Sequence, residues 1–575
     1  MNNTFTTSVH PSKIIKDLEY NYLKNVNVVL INTPIREAAA PTVLPEGPLL
    51  LATNLRDNFG VNASLIDLNG YRIHDKISKQ KGLSNGRQLN KKETYNLLEK
   101  HFEKHGIPEM VGLSGIITTL DKQQGLAKMI RDLAPETHLV SGGGLATELG
   151  VGLFNYIPEL DDIAKGEGDE VIVKIAYDAK IIQLFGLKKA LLGNKLNPYS
   201  VGEIGKKHRF VYEGASPHNL NALPFADLEL LKEDVNGFSI LDYYLGNAVW
   251  GKVANNSSAT PFTMEKSTTF VSSRGCPHAC DFCYKGAQGG RDYKFRSAEN
   301  VASQIKLHKE KYGVDFVGMV DDNFGISRNR IRELLPLLKP LNIRWGTHMR
   351  LDEAADIKNI SKNRTMIFED EKRVDMMAEA GCIYIGFGGE SASPRVLKSM
   401  NKGGFILRNG MEEVIFDKKK YEFPRSMVQG IKNSLGAGIH PNCTWIMGYP
   451  KETLLDLQTS IAFIKWQEEC SIKYGEADSV NREMFTATAY PGTPMFSRLG
   501  VMKKLSDNFK IKFDFKQKPI CDENFRQYIL GLEDATKILV DTKGNPLNYS
   551  DMDDKTFLKA RNHINEGNLE KVLGM

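Results

Sequence analysis

The chain has 575 residues, 41% of them hydrophobic and 25% charged, so it is long enough for two main domains of an ordinary globular protein. Its net charge of +5 is small for this length and argues against a dedicated nucleic-acid binder, while seven cysteines do not suit a secreted disulfide framework. No apolar run approaches the ~20 residues of a transmembrane segment, and the N-terminal residues lack a signal-peptide pattern. We therefore expect a cytoplasmic protein with reduced thiols, which still leaves room for a lipid substrate reached at a membrane surface.

The first part of the chain alternates short apolar strands with helices. Strands are predicted at 27–31, 63–68, 109–114, 138–141 and 162–164, with helices at 49–59 and 122–133. This alternation predicts an α/β domain with a parallel sheet, in which ligands bind beyond the carboxyl ends of the strands. Those ends carry small or polar residues, namely Ser114, Gly142, Gly143, Gly144 and Glu167.

A second alternating region follows a less periodic stretch. Its strands are predicted at 268–272, 315–320, 343–348, 383–387, 440–447 and 483–489, and six such strands indicate an incomplete parallel α/β barrel. The predicted organisation is an N-terminal extension (1–24), a flavodoxin-like domain (25–185), a linker (186–265), the barrel (266–500) and a helical, charged C-terminal extension (501–575). Residues 403–430 look like a long loop at the barrel mouth.

Three cysteines cluster directly after the first barrel strand. Cys276, Cys280 and Cys283 lie within eight residues, in the sequence CPHACDFC. A zinc site usually needs a second cysteine pair or paired histidines, and this loop offers only His278. Three thiolates without a fourth ligand favour an iron–sulfur cluster with one open iron. The other four cysteines (Cys382, Cys443, Cys470 and Cys521) are scattered, which is typical of core residues.

This CxxxCxxC loop resembles the signature of the radical SAM superfamily. The resemblance implies a 4Fe–4S cluster held by Cys276, Cys280 and Cys283, whose open iron binds S-adenosylmethionine. It also implies that one electron cleaves this cofactor to a 5′-deoxyadenosyl radical, and that Phe282 packs near the adenine. A flavodoxin or a ferredoxin is then expected as the electron donor.

Two other strand ends carry candidate cofactor contacts. The segment GGES at 388–391 resembles the part of the superfamily barrel that contacts S-adenosylmethionine, which assigns Glu390 to the ribose hydroxyls and Ser391 beside it. Arg350 ends another strand and is predicted to pair with the methionyl carboxylate, with a structural salt bridge as the alternative. Asp321 and Asp322 are predicted to line the cavity.

Two further motifs and the preceding sheet resemble one branch of the superfamily, which carries a cobalamin-binding domain. GYPKET at 448–453 is similar to a GxPxET turn, and YPGTP at 490–494 ends the last barrel strand. Gly448 is then expected to border the adenine. In that branch Ser114, the glycines at 142–144 and Glu167 would lie against the nucleotide tail of cobalamin.

One feature of the wider cobalamin-binding family is absent. No DxHxxG sequence follows the first strand, where this chain has Pro34-Ile-Arg-Glu-Ala instead. We therefore expect a base-off corrinoid without a protein histidine ligand, approached by an unassigned residue within 34–46. A domain that has lost cobalamin is the alternative.

The resemblance implies a cobalamin-dependent methyltransferase that acts on an unactivated carbon of a small molecule or lipid. The alternative is an oxidative cyclase or rearrangement enzyme that uses the same cofactors without net methyl transfer. A non-catalytic cluster scaffold is disfavoured, because polar residues fill the strand ends where barrel chemistry takes place.

Overall fold

The computed structural model describes residues 18–37, 41–187, 198–204, 207–246, 264–284, 290–360, 366–475, 484–533 and 537–575, with Lys16, Val480 and Arg482. Most of the predicted N-terminal extension (1–24) lies outside these residues. The chain forms two compact units. The first contains residues 1–245, 285–290 and 512–533, and the second contains residues 246–284, 291–511 and 534–575.

The described part of the first unit is built on a seven-stranded sheet. Its strands are Asn27–Asn32 (β1), Asn62–Asp67 (β2), Met110–Gly115 (β3), His138–Gly142 (β4), Asp162–Lys165 (β5), Pro198–Ile204 (β6) and Lys207–Glu213 (β7). The order is β2-β1-β3-β4-β5-β7-β6, and all neighbours are parallel except the antiparallel edge pair β6–β7. The order of the first five strands is the flavodoxin-like one, with its switch point between β1 and β3.

Helices connect these strands, and the longer ones bury apolar side chains. They are Glu46–Phe59 (α1), Lys76–Gln80 (α2), Lys91–His105 (α3), Leu120–Leu133 (α4), Gly143–Leu149 (α5), Leu153–Tyr156 (α6), Val171–Phe185 (α7) and Ile240–Gly246 (α8). Strand β1 is a nearly continuous buried apolar run, as expected for a parallel strand covered on both faces. The predicted α/β domain is confirmed.

The second unit is built on a six-stranded parallel sheet among its described residues. Its strands are Ser267–Phe270 (β8), Phe316–Met319 (β11), Arg344–Arg350 (β12), Cys382–Glu390 (β15), His440–Met447 (β18) and Phe485–Thr486 (β19). They lie in chain order, so their carboxyl ends follow one another along one edge. Three short antiparallel pairs are added: Ser273–Arg274 (β9) with Lys294–Phe295 (β10), Ile357–Ile360 (β13) with Met366–Phe368 (β14), and Met411–Phe416 (β16) with Lys419–Pro424 (β17).

Helices connect these strands in the pattern of a partial barrel. They are Ala298–Tyr312 (α9), Arg328–Leu338 (α10), Leu351–Ala355 (α11), Arg373–Glu379 (α12), Pro394–Ser399 (α13), Gly403–Ile406 (α14), Arg425–Gly436 (α15), Leu454–Lys473 (α16) and Leu499–Phe509 (α17). The C-terminal helices are Glu523–Leu530 (α18), Asp554–Asn565 (α19) and Leu569–Leu573 (α20). Trp345 and Trp445 are fully buried in the core. All six predicted barrel strands are present, although the last is only two residues long.

The structure differs from the sequence prediction in three segments. Part of the expected linker 186–265 forms β6 and β7, which extend the first sheet. Residues 403–430 form the short helix α14, the β16–β17 hairpin and the start of α15 instead of a long loop. The helical C-terminal extension is divided, because residues 512–533 belong to the first unit and 534–575 to the second. No helix in the described residues is long and apolar enough to cross a membrane.

Candidate active site

The three loop cysteines are half-buried and free of disulfides. The loop begins after β8, at the carboxyl edge of the second sheet. Within the described residues, no three His, Cys, Asp or Glu side chains are arranged around a single metal ion.

Two aspartates fix the backbone that leads into the cysteine loop. Asp321 accepts hydrogen bonds from the amide and hydroxyl of Ser272 and from the hydroxyl of Ser273, each at 2.6 Å. Asp322 accepts a 3.1 Å bond from the amide of Gly275, next to Cys276. Both had been expected to line the cavity. Because each carboxylate binds this turn, we interpret them as supports of the loop.

The far side of the loop is held by two other elements. The amide of Asp281 donates to the carbonyl of Met400 at 3.0 Å, and the side chain of Asn401 donates to the carbonyl of Ala279 at 2.8 Å. The segment after YPGTP contributes an ion pair from Arg498 to the Asp281 carboxylate, with Nε at 3.1 Å. The YPGTP motif is therefore followed by a residue, Arg498, that binds the cysteine loop.

Arg350 reaches the loop from the end of β12. Its Nη1 lies 3.8 Å from Cys280 Sγ, and its Nε lies 3.0 Å from the Asp352 carboxylate. Burial alone would lower the pKa of this guanidinium, but the charges of Asp352, Cys280 and Glu353 outweigh burial and raise it. Arg350 thus places a permanent positive charge beside the sulfur of Cys280.

Glu390 and Lys402 form a buried ion pair next to the loop. The two charged groups are 3.1 Å apart, and the Lys402 ammonium lies 5.8 Å from the centre of the Phe282 ring. The backbone carbonyl of Lys402 also accepts a 3.4 Å bond from Arg350. Four of the predicted residues, Cys280, Phe282, Arg350 and Glu390, are therefore brought together, with Lys402 linking them.

Tyr449 completes this cluster of side chains. Its ring packs edge-on against Phe282, with the centroids 6.5 Å apart, and the Arg498 guanidinium lies 5.4 Å from its centroid. The residue is fully buried, and its hydroxyl has no hydrogen-bond partner among the described residues. Burial raises the pKa of this phenol, so it stays a neutral potential donor at physiological pH.

Ser391 and Gly448 have local roles that the sequence did not indicate. The Ser391 hydroxyl is buried and lies 3.0 Å from the hydroxyl of Ser460 on α16. Gly448 has φ +78°, and a Cβ there would lie 2.7 Å from the ring of Phe557 on α19. The side-chain direction of Gly448 therefore faces the C-terminal helix.

The predicted residues of the first unit lie along its carboxyl edge. Ser114 and Gly142 pair directly across β3 and β4. Gly143 has φ +80° and approaches the backbone of Gly115 so closely that a Cβ would lie 2.6 Å from its carbonyl oxygen. Gly144 and Glu167 are buried, whereas Ser114, Gly142 and Gly143 are partly exposed. Only these last three present an open edge.

Sequence reasoning missed Lys402, Tyr449, Asp281 and Arg498. Asp281 lies inside the cysteine motif, and Tyr449 lies inside the GYPKET turn, so their positions were available. Their roles depend on contacts between distant segments, such as the 217 residues between Asp281 and Arg498. No local pattern marks Lys402.

The fold and this cysteine-centred site define the class of the protein. Residues 270–464 match the sequence profile of the radical SAM superfamily. This match begins in β8 and includes the cysteine loop and the ends of β11, β12, β15 and β18. This segment is the radical SAM domain of the chain.

The chain is also similar in sequence to individual proteins that are described as methyltransferases or cyclases. The chain is 26% identical over 392 residues to an uncharacterised methyltransferase of Pyrococcus horikoshii, a match that spans 68% of this chain and 69% of that one. It is 22% identical over 411 residues to the anaerobic magnesium-protoporphyrin IX monomethyl ester cyclase of Rubrivivax gelatinosus, covering 71% of this chain and 61% of the cyclase.

A solved structure shares the fold of nearly the whole chain. This is the radical S-adenosylmethionine methyltransferase TsrM from Kitasatospora setae, with cobalamin and a 4Fe–4S cluster bound. The match has a TM-score of 0.56 and 14% sequence identity, and covers 95% of this chain and 89% of TsrM. At this identity the likeness concerns the fold.

Proposed function

We propose that the chain is a cobalamin-dependent radical SAM methyltransferase that acts on an unactivated carbon of a small molecule or lipid. The observation that carries this proposal is that one chain contains two parallel sheets, each with residues suited to a cofactor along its carboxyl edge. One edge holds the cysteine loop with its supporting contacts. The other belongs to the flavodoxin-like sheet and is open at Ser114 on β3, which borders the switch point, and at Gly142 on the neighbouring β4. TsrM and the Pyrococcus relative, both described as methyltransferases, support this assignment.

The residues around the cysteine loop fit a 4Fe–4S cluster and S-adenosylmethionine. Cys276, Cys280 and Cys283 would bind the cluster, which supplies the electron that cleaves the cofactor. Arg350 provides a fixed positive charge for a thiolate or a carboxylate. Glu390 accepts hydrogen bonds and, together with Lys402, keeps this buried region electrically balanced.

The carboxyl edge of the first sheet fits a corrinoid tail. At Gly142 the nearest atom to an added Cβ is 3.8 Å away, so the end of β4 is open. The neighbouring Ser114 is small and partly exposed. Cobalamin, when bound, supplies the methyl group. No histidine occurs in residues 34–46, so the proposed corrinoid is base-off and lacks a histidine ligand from this segment.

A one-electron donor completes the proposal. The chemistry needs a low-potential electron for each turnover, which a flavodoxin or a ferredoxin supplies in the cytoplasm. We therefore propose such a protein as a partner and the cytoplasm as the location.

Corrinoid binding is the direct test of the first-unit assignment. The full chain, loaded anaerobically with hydroxocobalamin and desalted, should retain about one corrinoid per chain, measured from its absorption spectrum. Gly142→Leu should lose it, because the new side chain fills the open edge. Gly125→Leu is the control, since the Cβ direction of Gly125 on α4 is also open. Equal retention by Gly142→Leu, or no retention by the unmodified chain, contradicts the assignment.

An oxidative cyclase is the second candidate, because the Rubrivivax relative is described as a cyclase. The two activities differ in the fate of the methyl group of S-adenosylmethionine. With a deuterated methyl group, a methyltransferase transfers the label to its substrate and leaves unlabelled S-adenosylhomocysteine. A cyclase forms 5′-deoxyadenosine while its product stays unlabelled, and mass spectrometry of the products separates the two.

A further inference from the structure

Residues 512–520 form a small hairpin that projects an aromatic ring into solvent. Phe513 bridges to Pro519, and the amide of Asp514 donates to the carbonyl of Lys518 at 2.8 Å. The Asp514 carboxylate accepts hydrogen bonds from the backbone amides of Lys516 and Lys518, at 2.9 and 2.8 Å. At the tip, Phe515 is 91% exposed, the highest value among the exposed large hydrophobic side chains of the described residues.

A second turn in the same chain shows that the backbone does not require Phe515. Residues 539–547 repeat this hydrogen-bond pattern. The Asp541 carboxylate accepts hydrogen bonds from the backbone amides of Lys543 and Asn545, at 2.8 and 2.9 Å. Thr542 takes the place of Phe515, and a glycine, Gly544, takes the place of Gln517. Gln517 has φ +60°, a conformation that glycine adopts at less cost. The side chains of Phe515 and Gln517 are therefore not needed to form the turn, whereas the aspartate is shared by both turns.

The hairpin stands on a firmly packed base. Helix α18 follows it, and its Phe525, Tyr528 and Ile529 are fully buried. The preceding Asp522 accepts a 2.7 Å bond from the hydroxyl of Tyr156, and Arg526 forms a 2.8 Å ion pair with Asp121. A buried base under an exposed ring argues that Phe515 is presented outward by the fold.

Basic side chains surround the ring. Lys512, Lys516 and Lys518 are exposed, and within the described residues they form no ion pair. Lys516 lies beside the ring, with its ammonium 5.5 Å from the centroid of Phe515. The nearby acidic residue Asp514 directs its carboxylate to backbone amides. Ile520 adds a second, partly exposed apolar side chain.

We propose that the hairpin 512–520 binds an anionic lipid surface, with Phe515 entering the headgroup region and Lys512, Lys516 and Lys518 facing the lipid phosphates. Aromatic rings favour the membrane interface, and lysines near it are attracted to anionic headgroups. A stable protein interface buries roughly 800 Å² on each side, usually around a cluster of apolar side chains. A single protruding ring among cations suits a soft lipid surface better.

Sedimentation of the full chain with vesicles tests this proposal without any cofactor. The chain should bind vesicles of phosphatidylcholine mixed equally with phosphatidylserine, and bind much less to phosphatidylcholine alone. Lys516→Glu combined with Lys518→Glu should lower the partition coefficient at least about tenfold. Phe515→Ala should lower it severalfold while leaving the charge unchanged.

The second turn supplies a matched control. Thr542→Ala combined with Lys543→Glu changes equivalent positions and should leave vesicle binding unchanged. In addition, Phe515→Trp should show a blue shift of its fluorescence on anionic vesicles, which reports that this residue enters the interface. Binding that is absent, that is equal on neutral vesicles, or that is unaffected by the Phe515 and lysine variants overturns the proposal. The result is independent of the proposed methyltransferase activity, because no turnover is measured.

Discussion

Among the single residues of the site, Arg350 links the cysteine loop to its neighbours. Its guanidinium contacts Cys280, Asp352 and the Lys402 carbonyl together. A lysine has the same charge, but its donors share a single nitrogen atom. It therefore cannot reach all three partners in this geometry.

Arg350→Lys should slow the formation of 5′-deoxyadenosine roughly 10–100-fold while iron content stays unchanged. Arg344→Lys is the control, since Arg344 begins the same strand and pairs with Asp315 at its exposed end. The measurement is anaerobic product formation per cluster over a range of S-adenosylmethionine concentrations. Equal rates for both variants would exclude a role of Arg350 in cofactor binding.

Glu452 is a buried carboxyl group within the GYPKET turn. One of its oxygens accepts a bond from the Gly448 amide, and the other has no partner in the described residues. Burial raises its pKa from 4.5 to about 8. Between these two pKa values the unfolded chain loses a proton that the folded chain keeps, so stability from this group falls as the pH rises.

Glu452→Gln should therefore stabilise the protein at pH 9, by up to about 4 kcal/mol, and change it little at pH 5. The measurement is the urea unfolding midpoint of the second unit at both values of pH. Glu469→Gln, an exposed substitution on α16, should have no such pH dependence. A Glu452→Gln effect that is equal at both pH values would show that the carboxyl group does not retain its proton.

At the scale of elements, the end of β18 and helix α19 depend on each other. Phe557 fills the space that a side chain at Gly448 would need, and Arg561 of the same helix donates to the carbonyl of Met484 beside β19. Asp551 also donates its amide to the Glu452 carbonyl at 2.9 Å. The C-terminal segment thus fixes the turn that carries Tyr449.

Gly448→Ala should cost about 2–4 kcal/mol, from backbone strain and from the clash with Phe557. Gly438→Ala should cost only about 1 kcal/mol, because Gly438 has a similar φ of +75° but no atom within 4 Å of its Cβ direction. Adding Phe557→Ala to Gly448→Ala should relieve the clash and leave the strain, as a double-mutant cycle in urea would show. Equal costs for both glycines would mean that α19 does not pack here.

The elements also show where sequence reasoning succeeds. Both parallel sheets, and the order of motifs at their carboxyl ends, were predicted because apolar periodicity is local. The strands β6 and β7 were missed, since Lys207–Glu213 has only a short apolar run (Phe210, Val211 and Tyr212) and pairs with β5, which lies more than forty residues earlier. Residues 512–533 return to the first unit through contacts such as Tyr156 with Asp522, 366 residues apart, which no local pattern encodes.

On the scale of the whole molecule, the chain combines a flavodoxin-like unit with a radical SAM unit. The cysteine motif can be recognised from the sequence, and its assignment as the set of cluster ligands stays a prediction. The contacts that hold the loop come from residues in or directly after β11, β12, α13 and β19. These supporting residues lie between Asp321 and Arg498, far from the loop in sequence, so only the three-dimensional structure reveals them.

The most direct test of this account is cleavage of S-adenosylmethionine by the full chain after anaerobic reconstitution with iron and sulfide. The chain should bind about four iron and four sulfide and form 5′-deoxyadenosine when reduced. Cys280→Ala should abolish this product, and Cys470→Ala, which removes a buried cysteine on α16, should not. Persistent cleavage by Cys280→Ala, or equal loss in both variants, would contradict the assignment of the cluster to Cys276, Cys280 and Cys283.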